Sequence, residues 1–259
     1  MKRKPAKIIP GVDQALLVKD AAKLLPDPAR RRFLTGGASL GALTLLTGCD
    51  VTDGFSAEDV LKQISKFNDA VQARLFDPNK LAKTYPESFI MKPFPYNAYY
   101  PLDEAPDIKA EEYKLELSGL IRDQKPWTLD ELYKLPQEKQ VTRHICVEGW
   151  SAVGSWSGPK LGDFLKAVGA DTRAKYVRFV CAEGYSTCLD MPTCFHPQTQ
   201  MSFRFDNQIL PRAYGYPMKI RVPTRLGFKN PKYVVGMEVT NDYMGGYWED
   251  LGYNDYSGL

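Results

Sequence analysis

Residues 143–151 read R-H-I-C-V-E-G-W-S, which gathers a guanidinium, an imidazole, a thiol, a carboxyl and an indole on one short stretch. Four chemistries are open to Cys146. As a core residue it is a small hydrophobe. As half of a disulfide it would draw on Cys181, Cys188 or Cys194, and Cys188 and Cys194 could also close a small loop around Pro192. As a nucleophile it would use His144, two positions earlier and so on the same face of a strand. As a ligand its thiolate suits a heavy redox metal. A zinc set of Cys181, Cys188, Cys194 and His196 has the spacing C-x6-C-x5-C-x-H, which matches no familiar zinc pattern. Glu148 would either assist proton movement or pair with Arg143.

These residues need a scaffold, and the pattern around them predicts one. Q-V-T-R-H-I-C (140–146) reads as a strand that ends at the cysteine, and Y-K-L-E-L-S-G-L-I (113–121) alternates as a strand does. Thr128 and Glu131 form a capping box for a short helix carrying Leu129, Leu132 and Leu135. Pro159 opens a helix with Leu161, Phe164, Leu165 and Val168 on one face, and Gly169 closes it. Residues 174–181, 218–223 and 233–240 are further strands. Ser56 caps an amphipathic helix over 56–76, with Asp59 three positions on and Val60, Leu61, Ile64, Phe67, Val71 and Leu75 on its apolar face. The Pro- and aromatic-rich stretch from Tyr85 to Pro106 is an extended loop, either a wrap around the domain or part of a site. Strands and short helices mix without a βαβ rhythm, which predicts an α+β fold with mixed or mostly antiparallel sheets.

The chain has 259 residues, 44% hydrophobic and 25% charged, an ordinary globular balance. Its net charge of +3 comes from the first 48 residues, which carry nine Lys/Arg against three Asp. The remainder is slightly acidic and has no basic stripe, which excludes nucleic-acid binding as a main role. The leader explains the concentration. Arg30 and Arg31 are followed by Arg32, Phe33 and Leu34, resembling a twin-arginine export signal. The apolar run Phe33–Leu46 is too short and glycine-rich for a membrane span. L-T-G-C (46–49) resembles a lipobox, with Cys49 as the lipidated residue. The expectation is residues 1–49 as signal, 50–84 as a helical segment and 85–259 as the main domain, in the periplasm and anchored to the inner membrane through Cys49.

The order of several motifs carries a family resemblance. R-x-x-C-V-E-x-W-S, then W-S-G-P-K-L-G-D-F-L, A-K-Y-V-R-F (174–179), Y-G-Y-P-M-K-I-R-V-P (214–223) and L-G-F-K-N-P-K (226–232) resemble the cofactor-binding core of the sulfite oxidase superfamily, closest to its periplasmic methionine-sulfoxide-reductase branch. The resemblance implies the sulfite oxidase-type fold and a molybdenum–molybdopterin cofactor without an added nucleotide. Cys146 falls at the metal ligand, and Glu148 matches the motif beside it. Asn97, Tyr100 and Pro101 fall in the first pterin-contacting loop, and Asn230, Pro231 and Lys232 in the last. Lys219 stands where arginine is usual, Tyr214 where asparagine is frequent and Cys181 where threonine is common. Residues 184–196 resemble a stretch that shapes the substrate pocket.

The resemblance further implies oxygen-atom transfer on a small molecule or protein sulfoxide, or on another S- or N-oxide. The chain carries no C-x-x-C-H haem site, so electrons would pass to or from a membrane cytochrome b subunit or a periplasmic cytochrome. A monomeric catalytic subunit is expected. Two rivals remain. One is a sulfite dehydrogenase-like oxidation, which needs cations for a dianion, with Arg143, Arg221 and Arg225 as candidates. The other is a non-catalytic lipoprotein braced by disulfides or zinc.

Overall fold

In a computed structural model, residues 57–259 are described; the arginine run, the lipobox, Cys49 and the capping residue Ser56 lie outside them. The described chain opens with α1 (Ala57–Leu75). It then runs to Tyr113 with no regular element beyond two 3-10 turns at Glu87–Phe89 and Leu102–Glu104. Four prolines from Pro86 to Pro101 remove backbone donors and fix φ, so this stretch forms no strand, and its backbone bond to a sheet is the single one from Met91 N–H to Val153 O at 3.0 Å among those described.

Eleven strands follow: β1 (Lys114–Gly119), β2 (Trp127–Thr128), β3 (Glu138–Ile145), β4 (Ser151–Gly158), β5 (Tyr176–Cys181), β6 (Ser186–Asp190), β7 (Gln200–Ser202), β8 (Arg204–Phe205), β9 (Gln208–Ile209), β10 (Lys219–Arg221) and β11 (Val234–Thr240). Four short helices sit among them: α2 (Leu129–Tyr133), α3 (Leu161–Ala167), α4 (Met191–Cys194) and α5 (Tyr247–Asp250). The main sheet has the order β2-β1-β11-β5-β6; β1 and β11 run parallel and the other neighbours antiparallel. A second sheet is β3-β4-β8-β9, and β7 pairs with β10. The architecture is α+β, as the irregular alternation of elements predicts.

Alternation decides which side of each strand enters the core. Leu115 and Leu117 of β1 are buried while Lys114, Glu116 and Ser118 face water. Val177, Phe179 and Cys181 of β5 do the same, and all pack with Leu161, Phe164 and Leu165 of α3 in one cluster. Each such apolar side chain contributes roughly 1.5–3 kcal/mol on burial. A smaller cluster of Trp156, Phe205 and Leu210, with Phe94 and Tyr214 against it, underlies the second sheet.

Local signals mostly land where expected. Glu131 N–H donates to Thr128 Oγ1 at 3.4 Å, and Thr128 N–H donates back to the Glu131 carboxylate at 2.9 Å, which completes the capping box of α2. The helix after Pro159 starts later than the proline, at Leu161. Pro159 is instead held in the loop by its carbonyl, which accepts from Met201 N–H at 3.0 Å. A Cβ on the preceding Gly158 would overlap the Met201 carbonyl, so the close approach of β4 and β7 requires glycine there.

The amphipathic pattern of α1 is present, but its orientation is the reverse of an ordinary core helix. Its polar side faces the body. Asp69 accepts the N–H groups of Asp255 and Tyr256, each at 2.9 Å, and Gln72 accepts from Gly258 N–H at 2.8 Å. The extended C-terminal tail has donors to satisfy, and these side chains satisfy them. Phe76 packs edge-on against Tyr256. Leu61, Ile64, Phe67, Val71 and Leu75 are left exposed.

Candidate functional site

The antiparallel register of β3 and β4 pairs Ile145 with Ser151 and leaves residues 146–150 as a hairpin loop. Cys146 N–H donates to Trp150 O at 2.9 Å and Gly149 N–H to Cys146 O at 3.2 Å. Gly149 has φ +91°, a conformation that favours glycine. The loop holds Cys146 Sγ 3.7 Å from Glu148 Oε2, and that oxygen also accepts the Trp150 indole N–H at 2.9 Å. Arg143 does not pair with Glu148. It donates to Tyr85 Oη at 2.7 Å.

Cys146 and Glu148 form one wall of a cleft of about 170 Å³ that opens to solvent. The other walls are residues 97–100, Glu183 and Tyr185, residues 227–232 apart from Lys229, and Trp248 with Tyr253. Burial raises the Cys146 thiol above its ordinary value, an effect opposed by the Glu148 N–H and reinforced by the Glu148 carboxylate. His144 does not activate it. His144 is buried, and its Nε2 lies 3.1 Å from Asn97 Nδ2. Burial, then Lys219, Arg221 and Lys232, hold the imidazole neutral. The Cys–His nucleophile reading therefore fails, since no imidazolium is available to stabilise a thiolate. The disulfide and zinc readings fail as well. All four described cysteines are free thiols, and no three metal-binding side chains gather among the described residues.

Positive charge is concentrated behind the thiol. Lys219, Arg221 and Lys232 are all buried, and none forms a salt bridge among the described residues. Arg221 donates to Asn230 Oδ1 at 2.7 Å, Arg143 O at 2.6 Å and Thr142 Oγ1 at 3.2 Å, and lies over the Trp156 ring. Lys232 donates to Asn97 O at 2.8 Å and Ala213 O at 3.3 Å. Lys219 is pulled well below the ordinary lysine range, first by burial, then by Lys232 and Arg221. Burial also draws Lys232 down to about 8. Three buried like charges with only neutral partners are costly unless an anion joins them. Two buried nitrogens here, His144 Nδ1 and Arg221 Nε, have no partner. A Cβ on Gly227 would lie 2.7 Å from His144 Nε2, so the glycine keeps that floor open. A soft thiolate beside an anion-hungry pocket is the donor set that a molybdenum–pterin phosphate needs.

The expected site residues are not all brought together. Asn97, Tyr100, Cys146, Glu148, Asn230, Pro231 and Lys232 line the cleft. Lys219 stands behind it in the cation cluster. Cys181 is buried at the end of β5 and is not on the wall. Pro101 is exposed and starts a 3-10 turn. Tyr214 donates to Phe94 O at 2.8 Å and packs in the Trp156 cluster. Asn230 Oδ1 is occupied by Arg221 and by Val222 N–H, both at 2.7 Å, so its main work is to aim the guanidinium.

Sequence reasoning missed Glu183 and the wall of Phe228, Trp248 and Tyr253. Glu183 Oε2 is buried without a partner. Burial lifts its carboxyl from the ordinary 4.5 to about 7, against the pull of Lys232. The only signal was its place just before G-Y-S-T. A carboxyl raised on folding makes the folded state bind more protons than the unfolded chain between pH 4.5 and 7, so stability falls as pH rises through that window. Glu183→Gln will therefore raise the thermal midpoint of the cofactor-free protein at pH 8 and leave it unchanged at pH 4. Equal midpoints at both pH values would show that the carboxyl ionises freely.

Comparison with known proteins accords with this arrangement. The profile of the family described as oxidoreductase molybdopterin binding domain matches residues 102–248. A protein of Azospira oryzae, provisionally named protein-methionine-sulfoxide reductase subunit YedZ1, is 57% identical over 240 residues, covering 93% of this chain and 92% of its own. The protein-methionine-sulfoxide reductase catalytic subunit MsrP of Ralstonia nicotianae is 28% identical over 62% of this chain, and the match spans 56% of its length. The crystal structure of the sulfane dehydrogenase SoxCD from Paracoccus pantotrophus superposes with a TM-score of 0.52 over 77% of this chain and 59% of that one. At 15% identity that likeness speaks for the fold alone.

Proposed function

Because this chain belongs to the oxidoreductase molybdopterin binding domain family, we propose that it removes an oxygen atom from a sulfoxide, with protein-bound methionine sulfoxide as the leading substrate. The net reaction is sulfoxide plus two electrons and two protons giving thioether and water. When bound, the molybdenum–pterin group supplies two-electron redox chemistry. Cys146 would ligate the metal. Lys219 and Lys232 would neutralise the pterin's anionic groups, with Asn97 and Tyr100 lining its slot. Arg221 stiffens that slot from behind. Phe228, Trp248 and Tyr253 exclude water and offer aromatic faces to a thioether or sulfoxide. Glu148 fixes the hairpin loop through Trp150, and Glu183 is a carboxyl able to carry a proton near neutral pH.

The observation that carries the reading is which charged residues line the cleft. A sulfite oxidase needs cations there, and none of the three candidate arginines lines it. Arg143 is tied to Tyr85, Arg221 lies under Asn230, and Arg225 is packed over Tyr256 and bonded to Thr193. Lys232 is the one cation on the wall, and Glu183 stands there too. A neutral sulfoxide suits such a mouth better than a dianion. The name carried by the Azospira relative supports the same choice. The electron donor is a separate membrane or periplasmic cytochrome, and the enzyme works as a single catalytic chain. It is exported, and the L-T-G-C motif supports an anchor at Cys49.

The test is turnover of purified, molybdenum-loaded enzyme in two assays. Reduced viologen should be consumed with methionine sulfoxide at a rate at least tenfold above that with dimethylamine N-oxides, and sulfite should not be oxidised with ferricyanide. Sulfite oxidation with no sulfoxide turnover would reverse the assignment.

A further inference from the structure

The side of α1 left in solvent is the least explained surface of the fold. Leu61, Ile64, Phe67, Val71 and Leu75 are 65%, 51%, 68%, 39% and 78% exposed. They recur at helical spacing and so form one stripe along a 19-residue helix, about 28 Å long at the usual rise per residue. A helix of this composition would normally turn the stripe inward. Here it cannot. Asp69 and Gln72, on the other side, are bonded to the backbone of residues 255–258, and Phe76 is clasped between Tyr256 and Arg225. Rolling the helix to bury the stripe would break three hydrogen bonds and expose unpaired tail N–H groups. The orientation is fixed with the apolar side outward.

We propose that this stripe lies in a phospholipid surface, with α1 parallel to the membrane plane and its leucines and phenylalanine dipped into the headgroup–acyl boundary. The occupant is a lipid surface for three reasons. The stripe is carried by one helix, and none of its five residues lines either of the two clefts found among the described residues. Its composition of Leu, Ile, Phe and Val, with charged residues confined to the rest of the helix, is that of an interfacial helix. The helix also begins eight residues after Cys49, so an anchor there holds α1 within about 28 Å of the headgroups even if the link is fully extended. A lipidated Cys49 would tether the chain at one point only, and a second contact along α1 would fix how the domain lies on the bilayer. The stripe is that second contact. It rests on the export reading, and it is independent of the substrate.

The experiment uses the molybdenum-loaded mature protein carrying Cys49→Ala, which removes the acyl anchor and leaves the helix. Flotation with vesicles of phosphatidylethanolamine and phosphatidylglycerol should bring this protein up with the lipid. Adding Leu61→Asp and Phe67→Asp should lower the floated fraction at least tenfold, while sulfoxide turnover, which does not involve these residues, is retained. Failure of the Cys49→Ala protein to float overturns the proposal. So does flotation that the two aspartates leave unchanged. If the aspartates abolish co-purification with a membrane subunit and vesicles bind neither form, the stripe is a protein-docking surface and the lipid assignment falls. Loss of sulfoxide turnover in all forms would instead count against the proposed reaction.

Discussion

Cys146→Ser will purify with less than a tenth of the molybdenum of the wild-type enzyme and will reduce sulfoxides at least about a thousandfold more slowly, because a hard, undissociated hydroxyl replaces the one soft donor on the wall. The substitution is nearly isosteric. The loop that carries it is held by backbone bonds from Cys146 to Trp150 and from Gly149 to Cys146, which serine keeps. The thermal midpoint should therefore move little in the cofactor-free protein, separating ligand loss from misfolding. Metal content measured by elemental analysis is the decisive reading. Full occupancy in the serine variant would mean that the thiol is a wall residue only, and that the cations alone retain the group.

Lys219→Met should produce opposite effects on the empty and the loaded protein. In the empty protein the Lys219 amine is buried beside Lys232 and Arg221 with no carboxylate partner, and burial acts strongly against its charge. Replacing it with an apolar side chain of similar length should stabilise the cofactor-free protein by on the order of 1–4 kcal/mol. The same change removes a positive neighbour from the anion site, so cofactor occupancy should fall about tenfold, the loss expected for one charge-assisted contact. Paired thermal melts and metal analyses check both signs. A variant that is less stable when empty would show that Lys219 already has an anionic partner.

Both outcomes follow from features that differ in how they could be read from the chain. The strand that delivers Cys146 was legible because residues 140–145 alternate and stop at a polar, glycine-containing turn. The capping box of α2 was legible because Thr128 and Glu131 act locally. The helix after Pro159 was legible except for its start, since a long-range bond to Met201 holds the proline in the loop. The orientation of α1 was not legible. A 3.6-residue period says that a helix has two sides, and the tail that claims the polar one lies almost 190 residues away.

The site divides in the same way. Cys146, Glu148 and Lys232 follow from motif position. The raised carboxyl of Glu183 does not, because the burial that lifts it arises from a cleft assembled from distant segments. Tyr214 occupies a motif position but finds a better place among aromatic neighbours, where its ring packs against Phe205 and Phe94. Its hydroxyl is satisfied by a backbone carbonyl and has no need of a ligand.

The dispersal of the cleft along the chain also sets when it can exist. Its walls come from residues 97–100, 146–148, 183–185, 227–232 and finally 248 and 253, and the parallel pairing of β1 with β11 joins segments more than a hundred residues apart. Contacts of such wide separation form late. Trp248 and Tyr253 follow the hairpin bearing Cys146 by about a hundred residues, so the thiol and its neighbouring cations exist before the far wall does. The cleft is complete only once residues 183–185, 227–232, 248 and 253 have folded onto that hairpin.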